Sequence, residues 1–258
     1  MVILTFSLTK SLKNVIPSAY SERMSHFSAP ESLAEGTGAL NLPEGPNIGF
    51  SPDSNLVKSK QRISDHGEVF TPSWLVEDML SLVSQESSRI DSRFLEPACG
   101  SGNFLGAVLV KKFASVNEKY SQSDFEKKIY ALFSLMCIYG IELLEDNIEE
   151  CKSNLLELFC SFLNVDVGDK LAISAREVLT ANIIQGDALT LRNVNGKPIE
   201  FPEWGYLGKG KFQRRDFRYD VLTQRAGVEG TLFEMFEENQ LFTPTKTYPP
   251  MNFDEIKS

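Results

Sequence analysis

The stretch Arg93-Phe94-Leu95-Glu96-Pro97-Ala98-Cys99-Gly100-Ser101-Gly102-Asn103-Phe104 constrains the fold of this chain more than any other. A short apolar run reaches a carboxylate, a proline interrupts it, and two close glycines precede a segment of helical periodicity. Pro97 cannot donate to a strand ladder, while Gly100 and Gly102 permit a turn without Cβ atoms. Phe94 and Leu95 are therefore expected to end a buried strand, and Asn103 to start a helix. Such a strand-loop-helix unit is a ligand cradle, because loop amides and a helix dipole converge on it. The spacing lacks the third glycine of a dinucleotide site and the Gly-Lys-Ser/Thr of a phosphate loop, and Glu96 would repel a pyrophosphate. The expected ligand carries a positive group.

The pattern then recurs. Met136 to Leu143 reads as a second buried strand ending in Glu142, followed by a helix carrying Ile148, Cys151, Leu155, Leu158 and Phe159. Asn182 to Leu189 reads as a third, with Gly186 and Asp187 at its end, after a helix-compatible segment from Asp169 to Leu179. Phe104, Val108, Leu109 and Phe113 mark one core-facing helix, and Phe125, Ile129, Leu132 and Phe133 another. The second of these explains why Gly100 and Glu142 lie about twice as far apart as the ~20 residues of a compact dinucleotide unit. Taken alone, Glu142 would be a surface acid and Gly186-Asp187 a turn. Acids at the ends of three successive strands, in a chain that alternates strands with helices, instead imply a parallel sheet with a ligand crevice at its carboxyl edge. There, Glu142 can accept both hydroxyls of a ribose while Leu143 lies against a base. Asp187 can accept from an exocyclic amine, with the Ala188 amide facing a ring nitrogen.

Upstream, Gly67-Glu68-Val69-Phe70-Thr71-Pro72 leads into an apolar helical face of Leu75, Met79, Leu80 and Val83, with Thr71 suited to cap the helix and Pro72 to open it. Alone this is a capped surface helix. Glu96-Pro97-Ala98-Cys99-Gly100-Ser101-Gly102-Asn103-Phe104, however, resembles motif I of the adenine-N6 DNA methyltransferases. Phe70-Thr71-Pro72, an apolar helix and then motif I resembles the order in which the gamma arrangement of that family places its motif X. Glu142-Leu143 and Asp187-Ala188 resemble motifs II and III. The resemblance implies an α/β, doubly wound, Rossmann-like class I methyltransferase core, incomplete at its C-terminal half, with S-adenosyl-L-methionine as cofactor. By resemblance, Phe70, Thr71 and Pro72 border the methionine end of the cofactor. Glu96, Pro97, Ala98, Cys99, Gly100, Gly102, Asn103 and Phe104 form its loop, Glu142 and Leu143 hold the adenosyl ribose and one adenine face, and Asp187 and Ala188 read the adenine edge.

The resemblance stops at the catalytic tetrapeptide, Asn/Asp-Pro-Pro-Tyr/Phe, whose amide oxygen and backbone carbonyl accept the hydrogens of a target amine while its ring stacks on the flipped base. The nearest candidate for the fourth strand, Phe217 to Gln224, is followed by Arg225-Ala226-Gly227, and Tyr248-Pro249-Pro250-Met251 lacks the leading Asn or Asp. No catalytic residue is assigned. The expectation is the S-adenosylmethionine-binding subunit of a site-specific adenine-N6 DNA methyltransferase, in a restriction-modification or phage-defence system. DNA would be bound mainly through a complex with a second methyltransferase subunit that brings the missing loop, and specificity or restriction subunits are further candidate partners. The alternative is a catalytically inactive binding or assembly module of the same fold. A small-molecule or protein methyltransferase fits the motif order less well.

Charge agrees with shared DNA binding: 258 residues carry a formal net charge of -9, and affinity for a polyanion comes from Lys and Arg releasing counterions. Trp204, Tyr206, Lys209, Lys211, Phe212, Arg214, Arg215 and Arg218 interleave bases with aromatics. They read either as a phosphate-contacting and base-stacking stretch or as a basic edge strand, solvated or facing a partner. Val194-Asn195-Gly196-Lys197 is a hairpin turn signal. Cys99, Cys137, Cys151 and Cys160 show no Cys-x-x-Cys spacing, so reduced thiols and no metal site are expected, in a cytoplasmic protein without a membrane span. The expected division is a loosely ordered extension over 1–60, a cofactor-binding core over 61–224 and an extended tail over 225–258.

Overall fold

Alternating runs of apolar residues and acids resolve into two sheets and a layer of helices in the computed structural model, which describes residues 2–3, 71, 73–220 and 243–257. In chain order the elements are β1 (Val2–Ile3), α1 (Ser73–Leu82), α2 (Ser84–Ser87), β2 (Phe94–Glu96), α3 (Asn103–Tyr120), α4 (Asp124–Met136), β3 (Ile138–Glu142), α5 (Glu145–Leu163), α6 (Lys170–Asn182) and β4 (Ile183–Asp187). They continue with β5 (Arg192–Asn193), β6 (Glu200–Gly208), β7 (Lys211–Arg218), β8 (Lys246–Thr247), β9 (Met251–Asn252) and a 3-10 turn over Phe253–Glu255. Local chemistry sets several boundaries. The Ser123 hydroxyl accepts from the Glu126 amide at the start of α4, and Asp169 accepts from the Leu171 amide at 2.7 Å to open α6. Asn164 closes α5 in the left-handed region at φ 51°.

The first sheet runs β1-β2-β3-β4-β5, with β1 to β4 parallel and β5 antiparallel to β4. Its register places the three acids. Glu96 pairs with Gly140 and Glu142 pairs with Gln185, so each strand overshoots its neighbour by two residues. At about 3.3 Å per residue that is a step of about 6–7 Å per strand. Paired residues in a parallel ladder share a face and side chains alternate, so Glu96, Glu142 and Asp187 all stand on one face, stepping outward across the carboxyl edge.

That same face carries Phe94, Ile138 and Ile183, which join the main core with residues from α1, α3, α4, α5 and α6. The opposite face carries Leu95, Tyr139 and Ile141, which cluster with Ile199, Phe201 and Tyr219. The doubly wound arrangement implied by the resemblance is therefore not seen among the described residues. Their helices pack on one face, and the other is met by residues at and next to the ends of β6 and β7. No described helix is long and apolar enough to cross a membrane.

Lys112 on α3 is fully buried and ties the approach to β2, its ammonium donating to the carbonyls of Arg89, Ile90 and Ser92 at 2.7, 3.0 and 2.6 Å. Burial pulls it down to about 8. Three acceptors converging on one ammonium explain how so buried a lysine is tolerated.

The second sheet is a long hairpin of β6 and β7, with β8 and β9 added antiparallel on the far side of β7. It crosses the amino ends of the first sheet. Tyr139 donates to the Pro202 carbonyl at 2.9 Å, Arg93 pairs with Glu203 at 2.9 Å, and Trp204 Nε1 donates to Asn182 Oδ1 at 3.0 Å. Asn182 in turn donates to the Ile138 carbonyl at 2.9 Å, so one buried amide joins α6, β3 and the hairpin.

Three expectations change here. Phe217 and Arg218 are the end of antiparallel β7, and Tyr219 and Asp220 are helical, so the proposed fourth strand of the first sheet is not formed by the residues described; Val221 to Gln224 lie outside them. Strand β7 is no edge strand either, being paired on both sides. Residues 243–257, read as an extended tail, are extended but docked on β7, with Ile256 buried in the main core. Apart from Val2–Ile3, the stretch 1–60 lies outside the described residues, as do Phe70 and Pro72.

Candidate functional site

Between β2 and α3, residues 97–102 turn over the carboxyl edge. Gly100 has φ 52° and Gly102 φ 92°, both in the left-handed region that glycine enters without a Cβ penalty. Gly102 also faces a close neighbour: an ideal Cβ placed there lies 2.8 Å from the Sγ of Cys151 on α5. Gly140 on β3 is constrained in the same way, an ideal Cβ lying 2.8 Å from Cys99 Sγ. Two sulfur atoms thus seat the loop, its own Cys99 against Gly140 of β3 and Cys151 of α5 against Gly102, and glycine at 102 and 140 makes the room for them.

Hydrogen bonds fix the loop from β3. The Cys99 amide donates to the Ile141 carbonyl at 3.0 Å, and the Gly100 amide donates to Glu142 Oε2 at 2.9 Å. Glu142 Oε1 accepts from the Leu144 amide at 3.0 Å, so its carboxylate bridges the glycine loop and the approach to α5. The sequence separation is 42 residues, yet the loop and the second strand end meet at one carboxylate.

Glu96 is buried at 7% exposure beneath this loop. Burial pushes its carboxyl up to about 8, with a hydrogen bond from the Ala98 amide pulling the other way. A hydrogen bond with Cys151, together with burial, holds the Cys99 thiol well above its ordinary range. Both cysteines are free and buried. Buried neutral thiols of this kind are packing groups rather than nucleophiles.

Asp187 ends β4 half-buried and folds back on its own turn, accepting from the Leu189 amide at 2.8 Å and the Thr190 hydroxyl at 3.0 Å. Ala188 packs at the rim of the second apolar cluster. Leu143 projects outward, 53% exposed, next to Glu142. Gln185 Nε2 donates to the Leu143 carbonyl at 3.3 Å and joins the second and third strand ends. Pro97 is half-buried, Ala98 exposed, Asn103 half-buried at the start of α3, and Phe104 buried in the main core. Thr71 is half-buried immediately ahead of α1.

Acids dominate this edge, with Arg192 of β5 paired opposite Asp187 at its outer end. The segments 94–104, 138–147 and 183–190 contain Glu96, Glu142, Glu145, Asp146 and Asp187 and no Lys or Arg. A ligand bearing phosphates would meet repulsion, whereas one with cationic and hydroxyl groups finds acceptors. Two cavities, of about 460 Å³ beside Leu156, Cys160 and Val165 and of about 290 Å³ beside Ile184, Lys197 and Ile199, are lined by none of Glu96, Gly100, Glu142 or Asp187.

The aromatic residues and Arg214 of the basic and aromatic stretch are committed internally, while Lys209 and Lys211 are exposed. Trp204 and Phe212 are in the core, and Tyr206 packs between Tyr130 and Phe212. Buried Arg214 grips Asp216 through two hydrogen bonds of 2.7 and 3.2 Å and donates to the Lys257 carbonyl at 3.1 Å. Arg215 pairs with Glu203 and Arg218 with Asp220. Arg214 braces the hairpin from within, while Arg215 and Arg218, paired as they are, remain 48% and 45% exposed on its outer surface.

Sequence reasoning missed Asn147 and Asn154 of α5. Asn154 Nδ2 donates to the Ser101 carbonyl at 3.0 Å, and Asn147 Nδ2 approaches Glu142 Oε1 at 3.5 Å. Their signal was available: with Cys151 they recur at helical spacing on one face.

No curated protein and no solved structure matches this chain. Residues 57–162 match the family model described as N-6 DNA methylase. The segment that builds the glycine loop, Glu96, Glu142 and most of α5 is thus similar to that family, a match that supports a relationship to DNA adenine-N6 methyltransferases.

Proposed function

We propose that this chain binds S-adenosylmethionine at the carboxyl edge of its first sheet and serves as the cofactor-holding part of an adenine-N6 DNA methyltransferase. The observation that carries the reading is the convergence of Glu96, the Gly100 amide and Glu142 on one loop, with no Lys or Arg in the segments 94–104 and 138–147 that build it. The donor set fits this cofactor, which has an ammonium, a sulfonium and ribose hydroxyls but no phosphate. When bound, the cofactor supplies an electrophilic methyl group on sulfur. Glu96, beneath the loop, would face the methionine ammonium, with Thr71 and the start of α1 near its carboxylate. Glu142 keeps lone pairs for the ribose hydroxyls, Leu143 offers an apolar surface to the adenine, and Asp187 with the Ala188 amide would read the adenine edge.

The sequence holds no Asn/Asp-Pro-Pro-Tyr/Phe. In this reading, base capture and target recognition are supplied by a second polypeptide, in a restriction-modification or phage-defence setting. The same missing tetrapeptide favours the second reading, an inactive module that binds the cofactor as a sensor or assembly piece. Transfer of labelled methyl groups from S-adenosylmethionine to adenine-containing DNA separates the two, using the chain alone and with the product of the adjacent reading frame. Transfer only with the neighbour supports the split enzyme. Cofactor binding without transfer in either case supports the inactive module.

A further inference from the structure

Helix α5 presents three residues to the cradle from one stripe. Asn147, Cys151 and Asn154 stand at spacings of four and three, which places them on the same helical face. Each meets a different part of the site. Asn147, 1% exposed, approaches the Glu142 carboxylate. Cys151, fully buried, fills the space against Gly102. Asn154 donates to the Ser101 carbonyl at 3.0 Å. A polar side chain on a packing face incurs a desolvation cost unless it is matched, and here the Asn154 amide is turned toward the loop and the Asn147 amide toward the Glu142 carboxylate that holds it.

We propose that the Asn147-Cys151-Asn154 stripe is the shelf that holds the glycine loop in its binding conformation, with Asn154 as its chief positioning residue. The inference rests on the cofactor reading above for its ligand, but the shelf itself is a statement about the loop. Ser101 lies between two glycines that allow many backbone conformations. Its carbonyl is held from α5 while the neighbouring Gly100 amide is held by Glu142 from β3. The loop is thus clamped from both sides, and its peptide planes are oriented before any ligand arrives. Such pre-orientation reduces the ordering cost of binding. None of the three residues needs to touch the ligand.

Two substitutions test it. Asn154→Leu keeps the approximate size and removes the donor, and Asn154→Asp keeps the shape and turns an acceptor toward the Ser101 carbonyl. Backbone amide exchange at residues 99–102 should accelerate about fivefold or more in both, as expected for loss of one hydrogen bond, while exchange in β6 and β7 stays as in the wild type. Unchanged exchange in the loop, or uniform acceleration through the whole chain, would overturn the shelf.

Calorimetric titration provides the second reading. Affinity for S-adenosylmethionine should fall about five- to tenfold, with affinity for 5′-methylthioadenosine, which lacks the amino-acid end, kept within about twofold. Equal weakening of both ligands would contradict a role confined to the loop. A wild-type chain that binds neither ligand fails the cofactor reading, and the exchange data then decide on the shelf by themselves.

Discussion

Replacing Gly102 with alanine tests the packing logic of the cradle, and its cost has two separable parts. The backbone there has φ 92°, where a Cβ is disfavoured by about 1–2 kcal/mol. The added methyl would also lie 2.8 Å from Cys151 Sγ, inside van der Waals contact, and overpacking of this sort costs about 1–3 kcal/mol. The sum is a destabilisation of about 2–5 kcal/mol, at about 2–4 °C in melting temperature per kcal/mol for a chain of this size class. Cys151→Ala removes the clashing sulfur, and the next contacts of the new methyl, at 3.5 and 3.6 Å, are ordinary. In that background Gly102→Ala should cost only the backbone part. Urea unfolding of the four proteins of the cycle gives a coupling of about 1–3 kcal/mol, provided the slopes agree. Equal costs of Gly102→Ala in the two backgrounds would refute the claim that the loop rests on Cys151.

Glu96 predicts a pH signature. Its folded carboxyl is raised from 4.5 to about 8, so between these values the unfolded chain has lost a proton that the folded chain keeps. The contribution of this group to stability therefore falls as pH rises from about 4.5 to about 8 and is constant above. Glu96→Gln should lack that slope, its advantage over wild type widening across the same window in urea unfolding; parallel pH profiles would reject the assignment. A cationic ligand group facing Glu96 favours its ionised form. Binding near pH 7.5 should then release protons, seen as heats that vary with buffer ionisation enthalpy, and buffer-independent heats would exclude that contact. Asp216→Ala leaves Arg214 buried without its carboxylate partner and should destabilise the chain by about 3–5 kcal/mol. It should also open residues 243–257 to proteolysis, since Tyr248 donates to Asp216 Oδ2 and Arg214 holds the Lys257 carbonyl. A variant as protease-resistant as wild type would count against this anchoring.

Strands β2, β3 and β4 and the helices behind them were legible because each of these strands ended in an acid and the helices carried apolar stripes, as at Ile148, Cys151, Leu155 and Leu158, whereas β1, Val2–Ile3 paired with β2, falls in the stretch expected to be a loosely ordered extension. The turn at Asn195-Gly196 was legible from its chemistry, Gly196 having φ 71° and the Asn193 amide donating to the Lys197 carbonyl. The second sheet was not. The inward face of β7 carries Phe212, Arg214 and Asp216, so two of its three buried side chains are charged and the alternation reads as a solvated strand. Their mutual pairing, which makes burial tolerable, is a fact of geometry that no window of sequence displays. The α5 shelf was hidden for a related reason: an asparagine on a helix is ordinarily a solvated residue, and only the approach of the Ser101 carbonyl turns Asn154 into a structural donor. The one-sided helix layer was hidden too, because periodicity tells that a helix is amphipathic but not which face of a sheet it meets.

The central claim, that the acidic carboxyl edge receives S-adenosylmethionine, is tested most directly by calorimetric titration of the cofactor into the intact 258-residue chain, beside Glu142→Gln and Asp187→Asn. The account predicts saturable one-to-one binding by the wild type and a loss of about tenfold or more in affinity in each variant, with melting temperatures showing that both remain folded. A folded wild-type chain that gives no heat of binding and no thermal shift at millimolar cofactor would contradict it. So would binding that is unaltered by both substitutions.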